Sequence, residues 1–344
     1  MPDINREYEA QHLQNLASQQ KQVQVLYYAV LDEVFRASTG ITITNTTFRI
    51  TDYPALNSAI TRILTAFQQQ LMITLVNGIQ GEFNLSTAKN LALLEQKYGT
   101  VAEPVKQAFR NQQAFSNFIA RKTRRLTLSD RVWNLTNQLQ AEIEQTLFVG
   151  LSEGQSAAKM AQEAKRFLKE PDRLFRRLRN AKGKLVLSKP AKLYKPGVGI
   201  YKSSYKNALR LSRTETNAAY RAADGEQWKN TKFVLGYEIK LSRNHPAYDI
   251  CDNLAGVYPV DFDWVHWHPN CICYKIPVLA SKEQYDKYED ALLVGEADKF
   301  KFEGRIKDVS PAFKAYVAEN REKMEGWKQL PNWMVENKRF VKSE

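Results

Sequence analysis

The soft metal ligands of the chain are concentrated in residues 245–278, which we call the Cys/His unit. It contains every cysteine and three of the four histidines of the protein: Cys251, Cys271, Cys273, His245, His266 and His268. Thiolate and imidazole are the ligands that zinc takes in structural sites. Any soft-metal chemistry of the chain must therefore involve this unit.

The spacing of these residues predicts a structural zinc site. If Cys271 and Cys273 lie in a strand, their sulfurs face the same side, about 6.5–7 Å apart along the backbone. Cys251 would supply a third thiolate from the preceding turn, and His268 a fourth ligand, with His245 or a nearby carboxylate as alternatives. Such a site would cross-link a small domain. This hypothesis predicts about one zinc ion per chain.

Two other interpretations of the unit stay open. In the first, no metal binds: the three thiols are simply buried, and His266 and His268 form hydrogen bonds near the neighbouring tryptophans. In the second, the unit is a metal-dependent nuclease centre, with His266 or His268 as general base and Asp249 or Asp252 holding the ion. No complete nuclease signature is present and thiolates favour a structural site, so we assign no catalytic residue and expect no small-molecule substrate.

The charge of the chain is concentrated as well. The formal net charge is +13, and residues 165–206, the basic segment, hold fourteen Lys and Arg against only Glu170 and Asp172. A block of this kind attracts a polyanion, and the phosphates of double-stranded DNA are the natural candidate. A solvated basic face without a partner is the alternative. The predicted DNA contacts are Lys165, Arg166, Lys169, Arg173, Arg176, Arg177, Arg179, Lys182 and Lys184.

Apolar periodicity predicts a mostly helical N-terminal half. The expected helices cover residues 7–37, 54–78, 86–99, a segment opened by Pro104, and 129–150, with Ser86 and Ser129 as N-caps. The first of them is rich in Gln and weakly apolar in its first half, which favours an arm that packs on another chain. Residues 38–52 are β-prone and are expected to form a connection or a short hairpin.

The second half predicts a small α+β unit. Ser156 opens a helix, a basic helix follows Pro171, and a long helix covers residues 201–230. Strands are expected at 233–241, at GVYPV and at CICYKIPVL. Helices are expected after Ser281, including one over residues 311–330 that Pro311 opens. The fold class is therefore α+β and predominantly helical, with a short antiparallel sheet. We expect a helical domain over residues 1–150, a second domain over 151–280 and a helical tail over 281–344.

Composition and cysteine count indicate the cellular compartment in which the chain is made. The hydrophobic fraction of 43% suits a packed globular protein. No run of about 18 apolar residues is present, which predicts that the chain does not span a membrane. The polar first residues do not read as a signal peptide. An odd number of cysteines, two of them separated by one residue, favours synthesis in a reducing cytoplasm over a secreted disulfide scaffold.

Several motifs of residues 150–280 together resemble the phage head morphogenesis (MuF-type) family of minor head proteins. HPNCIC (268–273) with IPV (276–278) is similar to that family's HPNCRC signature. DICDNLAG (249–256) with VYPV (257–260) resembles its cysteine-bearing loop and turn, RTET (213–216) its preceding helix, and GLSEGQSAAKMA (150–161) an earlier turn and helix. Two positions differ, since Ile272 stands where an Arg is common and Tyr248 where many members have a further cysteine.

The resemblance implies a virion component rather than an enzyme. Such proteins are carried in the capsid interior near the portal, after synthesis in the cytoplasm of the host bacterium. They associate with the portal protein and other head proteins, and contact DNA during packaging or ejection. On this hypothesis the N-terminal helices would bind the portal, the basic segment would face DNA, and the Cys/His unit would be a structural cross-link.

Overall fold

The fold is α+β and mostly helical, as predicted. The structure is a computed structural model that describes residues 3–43, 48–101, 103, 106, 112–170, 177–179, 181–183, 185–187, 201–242, 245, 248–327 and 330–341, with only the backbone of 177–179 and 185–187. Its elements are α1 (Ile4–Ala37), α2 (Pro54–Tyr98), α3 (Gln112–Ala120), α4 (Leu128–Ser152), α5 (Ala157–Lys169), β1 (Arg177–Arg179), β2 (Leu185–Leu187), α6 (Ser204–Lys229), β3 (Val234–Lys240), α7 (Ile250–Leu254), β4 (Gly256–Tyr258), β5 (Tyr274–Leu279), α8 (Lys282–Leu293), α9 (Pro311–Glu319), α10 (Arg321–Glu325), α11 (Asn332–Glu336) and α12 (Lys338–Val341).

Tertiary contacts divide the chain into two compact units. The first unit comprises Met1–Leu16, Asn77–Arg125 and Arg213–Glu344, and the second comprises Ala17–Val76 and Leu126–Ser212. Both units are assembled from segments that are distant in sequence. The domain boundaries expected near residues 150 and 280 follow sequence character instead, and they stay predictions.

An aromatic core and a buried carboxylate organise the second unit. The Tyr27 ring packs edge-on against Phe67, with ring centroids 4.9 Å apart, and against Tyr205 at 5.4 Å. Glu142, fully buried on α4, accepts hydrogen bonds from the backbone N–H of Ser204 at 2.8 Å and from its hydroxyl at 2.5 Å. A negative charge at this position stabilises the N-terminus of α6, where backbone N–H groups lack helical partners.

The first unit contains a three-stranded antiparallel sheet in the order β4-β3-β5. Tyr237 on the central strand pairs with Tyr258 on one side and Pro277 on the other. Gly236 lies beside a bulge in β3, and a Cβ there would come within 2.4 Å of Ile306 and 2.8 Å of the Tyr258 carbonyl. Only glycine permits this close approach. The sheet packs into an aromatic core that includes Trp228, Trp264, Trp267 and Phe313.

A buried polar network holds α2 against α6 in the first unit. The Asp224 carboxylate accepts hydrogen bonds from the Ser86 hydroxyl at 2.7 Å, the Asn90 amide at 2.9 Å and the Lys89 ammonium at 2.5 Å. All four side chains are almost fully buried. Because each charged or polar atom has a partner, the desolvation cost of burying them is offset.

The start of α1 is fixed to the first unit by a second buried polar group. His12 is 2% exposed, and its Nδ1 lies 2.6 Å from a Glu82 carboxylate oxygen. Its Nε2 lies 2.8 Å from the Asn217 carbonyl oxygen. Leu16, one turn later, is buried too. The first half of α1 therefore packs within its own chain, a contact that its weakly apolar sequence did not indicate.

The structure corrects two predicted helix starts. α2 is continuous from Pro54 to Tyr98, because its apolar face continues past residues 78–86 through buried Ile79 and Phe83. The Ser86 hydroxyl is bonded to Asp224 and does not cap a helix. The N-cap of α4 is Thr127, in a capping box with Asp130, and not Ser129.

Three further corrections concern local structure. Arg177–Arg179 was expected in a basic helix but is a strand, paired antiparallel with Leu185–Leu187 around a turn in which Gly183 has φ of 73°. Residues 38–43 and 48–52 contain no strand, and residues 44–47 lie outside the described part. The helix opened by Pro311 ends at Glu319, and a separate short helix follows. Pro104 also lies outside the described residues.

We expect Asp224→Ala to lower the free energy of unfolding by about 3–5 kcal/mol, since it leaves the Lys89 ammonium buried without its counter-charge. Urea denaturation followed by circular dichroism measures the loss. The matched control is Glu226→Ala on the same helix, whose carboxylate is 42% exposed and forms an ion pair with Lys229. This change should cost less than about 1 kcal/mol. Equal losses in the two variants would contradict the role given to the Lys89–Asp224 pair.

Candidate metal centre

Cys251 is positioned by the capping of a short helix. The Asp249 carboxylate accepts a hydrogen bond from the Cys251 backbone N–H at 2.7 Å, and the Asp252 carboxylate accepts one from the Asp249 N–H at 2.8 Å. This reciprocal arrangement is a capping box at the N-terminus of α7. It fixes the first turn of the helix and with it the buried Cys251 side chain.

His268 and Cys271 are brought together by a tight turn. The Cys271 N–H donates to the His268 carbonyl at 3.1 Å, and Asn270 has φ of 64°. A type II turn requires a positive φ at its third position and often has proline at its second, and asparagine tolerates a positive φ better than most residues. The sequence HPNC therefore specifies a turn whose first and last residues are both candidate ligands.

The Arg221 guanidinium on α6 holds the loop that bears the ligands. It donates to the carbonyl of Val265 at 2.8 Å and to the carbonyl of Cys271 at 2.8 Å, and it lies over the Trp264 ring. Arg221 is only 2% exposed. Two loop carbonyls without a strand partner are thus satisfied by one buried cation.

The sulfur and nitrogen atoms are spaced as a tetrahedral zinc site requires. The Cys251 sulfur lies 3.7 Å from the Cys271 sulfur and 3.2 Å from His268 Nε2. With zinc–sulfur bonds of about 2.3 Å and zinc–nitrogen bonds of about 2.0–2.1 Å, the tetrahedral edges would be about 3.8 Å and about 3.5 Å. No disulfide joins the cysteines, and all three are buried. The predicted ligands Cys251, Cys271 and His268 are therefore adjacent.

The remaining predicted ligands lie on the other side of Cys251. His245, Cys251 and Cys273 form a second group whose ligand atoms are all within 4.8 Å of one another. His245 was expected as an alternative to His268, and both histidines contact the cluster. The carboxylates of Asp249 and Asp252 form a third group with His245, so the two candidate carboxylates lie at the edge of the same site.

The tautomer of His268 suits a metal ligand. Its Nδ1 lies 2.9 Å from the Pro269 carbonyl and its Nε2 lies 3.1 Å from an Asp249 oxygen, so either nitrogen has an acceptor; the tautomer that a metal would use has the proton on Nδ1. Nε2 is then unprotonated and faces the Cys251 sulfur. A backbone carbonyl that fixes the second nitrogen is the usual support of a metal-bound histidine.

The cysteines are not in a strand, which corrects the predicted geometry. β5 begins at Tyr274, and Cys271 and Cys273 precede it in irregular backbone. Cys271 groups with His268 and Cys273 with His245, and Cys251 belongs to both groups. The Arg221 hydrogen bond to the Cys271 carbonyl takes the place of a ladder hydrogen bond at this point.

The three thiols shift one another's pKa. Hydrogen bonds from Cys251 and Cys273, and then the charge of Arg221, lower the pKa of Cys271 well below its usual value. Donating to Cys271 raises the pKa of Cys251. For Cys273, a hydrogen bond with Cys251 lowers the pKa, but the bond with Cys271 and burial outweigh it and raise the pKa to about 12. Zinc binding would therefore displace protons from the other two thiols.

His266, named as a candidate base in the nuclease interpretation, does not join these groups. Burial of the ring, and then the nearby charge of Arg221, lower the pKa of His266 to about 4. Its Nδ1 is buried and has no hydrogen-bond partner in the described part of the chain. The ring is therefore neutral at pH 7 and is not placed beside the carboxylates.

The structure describes only part of the predicted DNA-contacting set. Lys165, Arg166 and Lys169 lie at the end of α5, where cations also complement the helix dipole. Lys165 Nζ lies 2.6 Å from the Asp32 carboxylate, and Lys165 and Lys169 both lie over the Tyr28 ring. Lys182 is exposed in the turn between β1 and β2. The side chains of Arg177 and Arg179, and all of Arg173, Arg176 and Lys184, lie outside the described residues.

No family model matches the chain, and neither the curated proteins nor the solved structures include a match to it. No helix in the described ranges is long and apolar enough to cross a membrane.

The residues that support the centre were largely missed by sequence reasoning. Arg221 carries no local signal that distinguishes it from other helical arginines. Thr214 lies in the motif RTET, and its hydroxyl is 3.4 Å from the Asn270 backbone N–H, a contact that the motif alone does not specify. Glu215, in the same motif, forms an ion pair with Arg121 at 2.6 Å.

We expect Arg221→Lys to weaken zinc binding by about 10–100-fold, because a single ammonium cannot serve both carbonyls that the guanidinium holds. Competition with a chromophoric chelator measures the affinity. Arg213→Lys, on the same helix and half-buried, is the control and should leave the affinity unchanged. If both variants bind zinc like the original chain, Arg221 does not position the ligand loop.

Proposed function

We propose that the Cys/His unit binds zinc as a structural cross-link. The observation that carries this proposal is the approach of the Cys251 sulfur to the Cys271 sulfur and to His268 Nε2, at 3.7 and 3.2 Å. The buried thiols support it, as does the Pro269 carbonyl beside His268 Nδ1, since both are typical of closed structural sites rather than of sites that bind a substrate.

Zinc should stabilise the fold because the unfolded chain lacks the assembled site. At free zinc about 100-fold above the dissociation constant, the gain is about 2.7 kcal/mol. We therefore expect the melting temperature to fall when zinc is removed by a chelator and to recover when zinc is restored. Cys251→Ser should abolish this response, because Cys251 belongs to both groups of soft donors, whereas Tyr248→Phe, a change at an exposed residue beside α7, should preserve it. A melting temperature that is the same with zinc and with chelator would overturn the proposal.

We further propose that the protein is a minor head protein of a phage or prophage. The order of motifs over residues 150–280 supports this function, together with the +12 charge of residues 165–206. The N-terminal helices are the proposed portal contact, and the basic segment the proposed contact with double-stranded DNA. In this function the protein acts by binding in the virion and not by catalysis.

The DNA contact predicts a steep dependence of affinity on salt. Replacing Arg173, Arg176, Arg177 and Arg179 by Gln should lower the affinity and reduce the slope of log affinity against log salt by about 3–4, because each lost phosphate contact removes about 0.9. The control replaces four exposed lysines that pair with nearby acidic residues: Lys282, Lys287, Lys299 and Lys314. If the two quadruple variants bind DNA equally, the basic segment is not the contact.

One arrangement keeps the nuclease interpretation as a second candidate, namely the grouping of His245 with Asp249 and Asp252. Carboxylates and imidazole can hold a catalytic divalent ion. Supercoiled plasmid incubated with the protein and Mg²⁺, Mn²⁺ or Zn²⁺ separates the two functions. Nicking that is lost in Asp252→Asn would support the nuclease, and intact plasmid in all three metals would remove it.

A further inference from the structure

The candidate ligands form two groups that share a single atom. His268 and Cys271 form one group with Cys251, and His245 and Cys273 form another with Cys251. In each group every ligand atom lies within 4.8 Å of the other two. The Cys251 sulfur is therefore the only donor common to both, and the two histidines lie on different sides of it.

One tetrahedral ion cannot use all of these donors. Structural zinc is almost always four-coordinate, whereas the two groups together offer five soft donors. If one zinc ion took Cys251, Cys271, Cys273 and His268, His245 would have no metal to bind. Its Nε2 is buried and has no hydrogen-bond partner among the described residues, although an Asp252 oxygen lies 3.1 Å away. A buried nitrogen without a hydrogen bond is costly unless something else occupies its lone pair.

A carboxylate lies beside each histidine. One Asp249 oxygen is 3.1 Å from His268 Nε2, and one Asp252 oxygen is 3.1 Å from His245 Nε2. Each group of three soft donors thus has a candidate fourth ligand within reach. Asp249 and Asp252 also cap α7, but each capping bond uses one oxygen, and carboxylate oxygens accept more than one interaction.

The balance of charge also favours more than one cation. Three thiolates and two carboxylates would bring five negative charges together, and a single zinc ion offsets two of them. Arg221 is the one further cation whose contact with the ligand loop is described. Two zinc ions supply four positive charges, which with Arg221 neutralise the set. Buried charge that is not compensated in this way is strongly destabilising.

We propose that the Cys/His unit holds two zinc ions bridged by the Cys251 thiolate. One ion takes His268 and Cys271, the other takes His245 and Cys273, and Asp249 and Asp252 complete the two sets. This assignment rests on the zinc site of the proposed function and enlarges it from one ion to two.

Metal content tests the number of ions. The full-length protein is saturated with zinc, freed of excess, and its zinc is counted by elemental analysis and native mass spectrometry. We expect about two ions per chain. His245→Asn and Cys273→Ser should each retain one ion, as should His268→Asn and Cys271→Ser, while Tyr248→Phe retains both. One ion in the original chain, unchanged by His245→Asn, would overturn the second site. No zinc at all would overturn the cross-link of the proposed function as well.

Cobalt tests the bridge. When apoprotein is titrated with Co²⁺, we expect the electron paramagnetic resonance signal to rise over the first equivalent and fall over the second, because thiolate-bridged ions couple antiferromagnetically. His245→Asn should show the rise without the fall. Two bound cobalt ions whose signals simply add would show two separate sites and overturn the bridging role of Cys251.

Discussion

The first unit depends on how Arg221 is buried. Its guanidinium satisfies the carbonyls of Val265 and Cys271 in a loop that has no strand partner there. A buried cation is tolerated only where its charge is offset. Hydrogen bonds from the other two thiols, and then the charge of Arg221, lower the pKa of Cys271, so a thiolate at Cys271 would offset this cation. The cation and the ligand cluster therefore stabilise each other, and the loop geometry follows from both.

Buried polar pairs, rather than apolar packing, fix the register of the helices around this loop. Asp224 with Lys89, and His12 with Glu82, join α6, α2 and the start of α1 through groups that are almost fully buried. Apolar packing tolerates small shifts along a helix, whereas each of these pairs fits in only one register. Since α6 also carries Arg221 and Thr214, the register of α6 on α2 sets where the ligand loop is held.

The sequence predicted those features that depend on composition and periodicity. The mostly helical α+β class and the proximity of the cysteines to His245 and His268 could be predicted, because the ligands are few and lie close in the chain. The continuity of α2 could not be predicted, because Ser86 resembles a helix N-cap in its local sequence. Its hydroxyl instead donates a hydrogen bond to Asp224, 138 residues away. Nor could the burial of His12 be predicted, since its partners Glu82 and Asn217 are distant in sequence. The placement of Cys271 and Cys273 outside a strand depends on Arg221, which supplies the hydrogen bond that a strand would have given.

A metal cross-link suits the small size of the sheet. The three strands have three, seven and six residues, and a sheet of this size needs packing on one face to be stable. Its aromatic core covers that face, but the connection from β4 to β5 spans residues 259–273 without regular structure and carries two of the three cysteines. The proposed metal would join that connection, at Cys271 and Cys273, to α7 at Cys251. If zinc binds as proposed, the free energy of binding becomes free energy of folding for a segment that contains neither a strand nor a helix.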